Sequence, residues 1–204
     1  MRRALFGGSF DPFHDGHLAM IRATLERGLA DTVLVMPAAH NPQKPAPAAP
    51  GGHRLRMAEL GVAGLAGVAV SDLETSRPGP SFTVDTLETL AARHPGDHWR
   101  LLIGADNLGE LPRWRRPERV LELADLLVFP RGAAPVVLAP ELRARATIVH
   151  GFACPAASTT VRAALADGSR PETLLPAAVL AYIERHGLYG WGSAGASREG
   201  GPCR

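Results

Sequence analysis

Apolar positions in this chain fall alternately into short continuous runs and into stripes with helical spacing. The runs predict strands over Ala4–Phe6, Thr32–Met36, Val68–Ser71, Arg100–Ile103, Leu126–Phe129 and Thr147–His150. The stripes predict helices over Leu18–Arg27, Arg54–Leu60, Thr83–His94, Pro117–Ala124, Thr160–Ala166 and Pro176–His186. Strand and helix taking turns in this way predict an α/β fold, Rossmann-like and doubly wound, whose mostly parallel sheet is covered by helices on both faces. Ligands of such sheets sit beyond the carboxyl ends of the strands, where the strand order reverses. Three segments rich in special residues follow strands directly: Gly7–His17, Pro37–Lys44 and Gly104–Asp106. Their common placement predicts one shared site.

Between these elements lie loops and breakers. Pro42, Pro45, Pro47 and Pro50 with Gly51-Gly52 read as a long, stiff, irregular loop, either a plain surface connection or a flap that brings Lys44 to a ligand. The run from Gly61 to Gly67 is glycine-rich, but its spacing does not fit a dinucleotide fingerprint, and no P-loop is present. No repeat and no second domain emerge. Residues 1–189 are expected to form a single domain, and the Gly- and Ser-rich stretch 190–204 a disordered tail.

With 204 residues, 46% hydrophobic and 21% charged, the composition is that of a globular chain with one sizeable core. A formal net charge of +2 gives no general electrostatic case for nucleic acid or a membrane surface. No apolar run approaches a membrane span, and no secretory leader is visible. Cys154 and Cys203 form no motif, so a reducing cytoplasm is the expected compartment. Lys44 is the only lysine. The oligomeric state stays open, a homo-oligomer included.

The richest segment is Phe6-Gly7-Gly8-Ser9-Phe10-Asp11-Pro12-Phe13-His14-Asp15-Gly16-His17. It reads as a glycine-rich loop leading from a strand into a helix. Glycine lets backbone approach a ligand closely, and a helix start offers N–H groups and a positive dipole end to an anion. Two histidines three positions apart can donate to the same phosphate. A metal pair with His40 as third ligand is the weaker reading, since no carboxylate or thiolate set accompanies it. Asp11-Pro12 reads foremost as loop architecture, with Asp11 bonding local backbone N–H groups. Ser158-Thr159-Thr160 ahead of Arg162 reads as a helix N-terminus, serving as a cap, an anion site or both. Asp106 fits equally a ribose-hydroxyl acceptor and an N-cap of a short helix.

The residues His14-Asp15-Gly16-His17, after Gly7-Gly8-Ser9-Phe10-Asp11-Pro12, resemble the HxGH signature of the nucleotidyltransferase superfamily. Further segments, in order, resemble the bacterial nicotinate-nucleotide adenylyltransferase family in particular. Gly79–Thr83 with Asp85-Thr86-Leu87 is similar to its PSYT segment, Ile103–Asp106 to its GxD strand end, and Leu111–Trp114 to its tryptophan loop. Ser158–Arg162 is similar to its SSTxxR motif, and Gly187-Leu188-Tyr189 to its C-terminal ending. Gln43 stands where that family often has histidine, and Arg115 where it usually has tyrosine.

The resemblance implies transfer of AMP from ATP to nicotinate mononucleotide, giving nicotinate adenine dinucleotide and pyrophosphate. His14, His17, Ser9, Lys44 and Arg162 would be the catalytic residues. ATP would be held by Gly7, Gly8, Ser9, Phe10, His14, Gly16, His17, Gly104, Asp106, Ser158, Thr159 and Arg162. Thr83, Trp114, Arg115 and Lys44 would hold the mononucleotide. Mg²⁺ would arrive with the ATP phosphates, with no protein cage of its own. Competing expectations are another HxGH transferase, acting on phosphopantetheine or with CTP, and a non-catalytic nucleotide sensor. A nucleic-acid binder fits poorly with near-neutral charge and no aromatic platform.

Overall fold

A computed structural model of the chain describes residues 1–43, 45–130, 135–152 and 156–192. The strands are β1 (Arg2–Gly8), β2 (Thr32–Pro37), β3 (Val68–Val70), β4 (His98–Gly104), β5 (Ala124–Phe129) and β6 (Ala146–Ile148). They form one parallel sheet in the order β3-β2-β1-β4-β5-β6. The helices are α1 (Asp15–Glu26), α2 (Gly51–Val62), α3 (Thr83–Arg93), α4 (Ala105–Leu108), α5 (Pro117–Leu123), α6 (Ser158–Ala166) and α7 (Ala177–His186). Short 3₁₀ turns occur at Leu111–Arg113, Pro140–Leu142 and Leu188–Gly190.

The period of two along each strand sorts side chains onto the two faces. Ala4 and Phe6 of β1 join Val33, Val35, Leu102 and Leu127 on one face, under Ile21 of α1, Met57 of α2, Val161 of α6 and Ile183 of α7. Leu5 joins Met36, Leu101, Ile103, Leu126 and Val128 on the other, under Val84 and Leu87 of α3 and Val120 of α5. The chain runs from β1 outward to β3, returns to pair β4 with β1, and continues outward to β6. Its strand order therefore reverses between β1 and β4, and the carboxyl ends of these two strands flank the crevice where α/β sheets bind ligands.

Each expected strand and helix is found, with shifts at the ends. Gly51-Gly52, expected in the loop, form the first turn of α2 after an extended Pro50. His150 lies beyond β6, His94 caps α3 rather than extending it, and Pro176 precedes α7. α5 passes into β5 at Ala124 with no loop between them. Gly61, part of the discarded glycine run, has a packing reason: a Cβ there would come within 2.3 Å of the Phe13 ring. The tail expected from Gly190 begins with a turn in which Trp191 packs on the core, and residues 193–204 lie outside the described residues.

Candidate active site

At the carboxyl ends of β1 and β4 opens a cleft of about 770 Å³. Its floor is the β1–α1 loop. Phe10 there has φ 48°, a strained backbone for a residue with a Cβ. It is held by its ring, edge-on to Phe6 at 5.2 Å and to His17 at 4.8 Å, and close to Phe13 at 5.7 Å. A Cβ at Gly8 would press on that ring at 3.2 Å, so a larger residue there would need the ring to give by a few tenths of an ångström.

His14 is the N-cap of α1, and His17 is the third residue of its first turn. The His17 N–H donates to Nδ1 of His14 at 3.3 Å, and the His14 N–H donates to Nδ1 of His17 at 3.2 Å. This is a reciprocal capping box built from imidazoles. The rings stack with centroids 3.6 Å apart and planes 17° from parallel. Since each Nδ1 accepts a backbone proton, each ring carries its own proton on Nε2 and is a donor there. The HxxH spacing thus sets both the cap and the tautomer. Both residues line the cleft.

Asp11 is buried, and its partners are distant rather than local. Oδ2 accepts from the Ala48 N–H at 2.7 Å, and Oδ1 from the Ala49 N–H at 3.0 Å and the Tyr189 hydroxyl at 2.8 Å. The expectation of loop architecture is kept, but the carboxylate joins three parts of the chain because the approach to α2 folds back over the β1–α1 loop. Burial, and next the Asp11 charge, push the Tyr189 phenol well above its ordinary range, so it stays a protonated donor.

Arg54 was not expected to belong to the site. Its guanidinium is 1% exposed and donates to four carbonyls: Ala49 at 3.0 Å, Ser9 at 2.8 Å, Ala38 at 2.6 Å and Ala39 at 3.0 Å. One planar group thereby ties the β1–α1 loop, the end of β2 and the approach to α2. Burial lowers its pKa, and Asp11 counteracts that. A sequence signal existed: Arg54 lies in register with the buried residues Ala58 and Gly61 of α2, an arginine inside an apolar stripe.

On one wall, Arg162 Nη1 donates to the Asp11 carbonyl at 2.6 Å and lies 3.7 Å from Asp11 Oδ2. Ser158 donates to the Pro12 carbonyl at 3.2 Å. The N-cap of α6 is Ala157, with no side-chain cap, so Ser158 and Thr159 are not the capping residues, and Arg162 is the fifth helical residue, past the first turn. The helix opens on the cleft beside Ala157, Ser158, Thr159 and Arg162.

The opposite wall is formed by Ser81–Thr83 and the tryptophan loop. Thr83 starts α3, which also lacks a side-chain cap. The Ser81 hydroxyl accepts from the Ala39 N–H at 3.0 Å, fastening this wall to the segment that follows β2. Gln43 donates its amide to the Arg113 carbonyl at 3.0 Å, so the residue in the usual histidine place links the two loops beside Trp114. Arg115 lies 4.8 Å over the Phe82 ring and pairs with Asp85 at 3.1 Å.

Gly7, Gly8, Ser9, Phe10, His14, His17, Thr83, Gly104, Asp106, Trp114, Arg115, Ser158, Thr159 and Arg162 all line this cleft. Two expected residues are not among them. Gly16 is buried inside α1, and Lys44 lies outside the described residues. Phe10 as a whole is only 2% exposed, so it offers a ligand little surface of its own. Asp106 is the second residue of α4, whose N-cap is Gly104, which removes the capping alternative. Among the described residues no group of three or more His, Cys, Asp or Glu could hold a metal ion, and no helix is long and apolar enough to cross a membrane.

The cytidylyltransferase-like family model matches residues 5–164. A protein of Gloeobacter violaceus named "Probable nicotinate-nucleotide adenylyltransferase" is 42% identical over 92% of this chain and 96% of its own. A relative of the same name from Bordetella petrii is 41% identical over 92% of this chain and 98% of its own. In three dimensions the chain is similar to Plasmodium falciparum nicotinic acid mononucleotide adenylyltransferase complexed with NaAD. The TM-score is 0.78 at 17% identity, covering 94% of this chain and 98% of that one, a likeness of fold. With the strand order, the paired imidazoles at the switch point and these relatives together, the chain belongs to the nicotinate-nucleotide adenylyltransferase family of HxGH nucleotidyltransferases.

Proposed function

We propose that this chain transfers AMP from ATP to nicotinate mononucleotide, forming nicotinate adenine dinucleotide and releasing pyrophosphate. The observation that carries the reading is the stacked His14–His17 pair, whose capping box makes both Nε2 atoms donors on a cleft at the strand switch point. A phosphate oxygen of the mononucleotide attacks the α-phosphorus of ATP. The bond from that phosphorus to the β-bridging oxygen breaks, and pyrophosphate leaves with the electron pair. The attacking phosphate is already an anion, so the chain need supply position and charge stabilisation rather than a strong base.

His14, His17 and Ser9 would donate to the reacting phosphate oxygens. Ser158, Thr159 and Arg162, with the uncapped start of α6, would take the β- and γ-phosphates. Gly7, Gly8 and the Phe10 backbone let the nucleotide approach β1, and Gly104 with Asp106 would receive the ribose. Thr83, Trp114 and Arg115 would hold the nicotinate end, with Lys44 a further cation. The donors on the cleft suit phosphate oxygens better than a bare cation. Mg²⁺ would therefore be held through the ATP phosphates and would neutralise charge on them. The work would be done within residues 1–189, with no nucleic acid involved.

The test is pyrophosphate release with ATP and Mg²⁺, offered nicotinate mononucleotide, nicotinamide mononucleotide and phosphopantetheine in parallel. Turnover chiefly with the nicotinate form is expected. Turnover only with another acceptor would replace the substrate, and ATP binding without turnover on any of the three would favour a sensor.

A further inference from the structure

Tyr189, in the turn after α7, reaches the floor of the cleft from 178 residues away in sequence, through its hydroxyl on Asp11. Its φ of 59° is unusual for a residue with a side chain, and its hydroxyl is spent on Asp11 Oδ1. Asp11 has three hydrogen-bond donors on its carboxylate: the Ala48 and Ala49 N–H groups and this phenol. Arg162 already donates to the Asp11 carbonyl and stands 3.7 Å from Oδ2, just outside hydrogen-bond reach. The carboxylate is therefore a competitor for the guanidinium. What keeps it turned away is the set of donors it already serves.

We propose that Tyr189 is a positioning residue for nucleoside triphosphate binding: by engaging Asp11 it stops that carboxylate from capturing Arg162 and leaves the guanidinium directed to phosphate. The proposal rests on the assignment of Arg162 to the ATP phosphates made above. Without the phenol, Oδ1 keeps only the Ala49 N–H. The carboxylate can then rotate toward Arg162, close the 3.7 Å gap and withdraw the guanidinium from the cleft. The acceptor wall of Thr83 and Trp114 is built from other segments and would not register the change. A tyrosine held as a donor at every working pH suits this duty.

The experiment is equilibrium titration of wild type, Tyr189→Phe, Arg162→Ala and the double variant with a non-hydrolysable ATP analogue, and separately with nicotinate mononucleotide, each with a melting curve. Tyr189→Phe is expected to weaken the analogue about tenfold while mononucleotide affinity stays within about twofold. In the Arg162→Ala background the tyrosine change should cost nothing further, because the competitor's target is gone. Unchanged analogue affinity in Tyr189→Phe, equal weakening of both ligands, or losses that add in the double variant would each overturn it. So would an Arg162→Ala protein that binds the analogue as tightly as wild type. A wild type that binds the analogue but turns over no mononucleotide would sink the transferase reading while leaving this comparison readable.

Discussion

His17 carries two duties through one ring. Nδ1 closes the capping box of α1, and that leaves Nε2 as the nitrogen assigned to phosphate in the proposed reaction. Replacing it by alanine removes one preorganised donor, one cap and the ring's contacts with Phe6, Phe10 and Phe13, while those three rings still pack on one another. His17→Ala is expected to lower turnover by about a hundredfold or more. The melting temperature should fall by several degrees, since the lost cap and the lost ring contacts each cost about 1 kcal/mol. Steady-state kinetics beside a thermal melt checks both, and a folded variant with near wild-type turnover would remove His17 from the chemistry. At this scale the sequence was informative, because HxxH ahead of a helix is a local pattern. The tautomer was not legible, since it depends on which nitrogen meets a backbone N–H.

Arg54 shows what an element contributes beyond its own stability. α2 begins with Gly51-Gly52 and carries an arginine on its buried face, against local preference. The gain is a single group that satisfies four carbonyls belonging to three loops. Arg54→Met keeps length and apolar stem but leaves those carbonyls without that donor. A loss of about 3 kcal/mol or more is expected, with a fall in melting temperature of roughly 6–12 °C, and calorimetry measures it. Arg54→Lys should recover only part, because one ammonium cannot serve the same planar fork. A methionine variant that melts with the wild type would show that the loops hold themselves. The elements were legible because they announce themselves by period. The anchors were less so: the partners of Arg54 and Asp11 come from segments the chain brings together only by folding, and their donors and acceptors are backbone atoms that carry no residue identity. The helix starts were read late because Gly51, Ser158 and Asp15 begin their helices with residues that carry no apolar period.

Across the whole molecule, the alternation of strand and helix was sufficient to predict a parallel sheet and to place the three strand-end segments in one site. The reversal of strand order between β1 and β4 explains why they meet: it brings Gly8 and Gly104 to the same edge of the crevice, with α6 and the start of α3 on either side. The bridge from Gln43 to Arg113 could not be read from the chain, because it joins two surface loops through a main-chain oxygen. The same long-range folding distributes the three tryptophans unevenly. Trp99 is buried in the core at the far end of the sheet, Trp191 packs at the C-terminal turn, and Trp114 alone of the three borders the cleft. With the acceptor placed beside Trp114 as proposed, the chain would carry a built-in optical gauge. Pyridine mononucleotide entering beside Trp114 should quench part of the intrinsic emission, ATP alone should leave it nearly unchanged, and Trp114→Phe should abolish the response, so that acceptor occupancy can be followed in real time without a label.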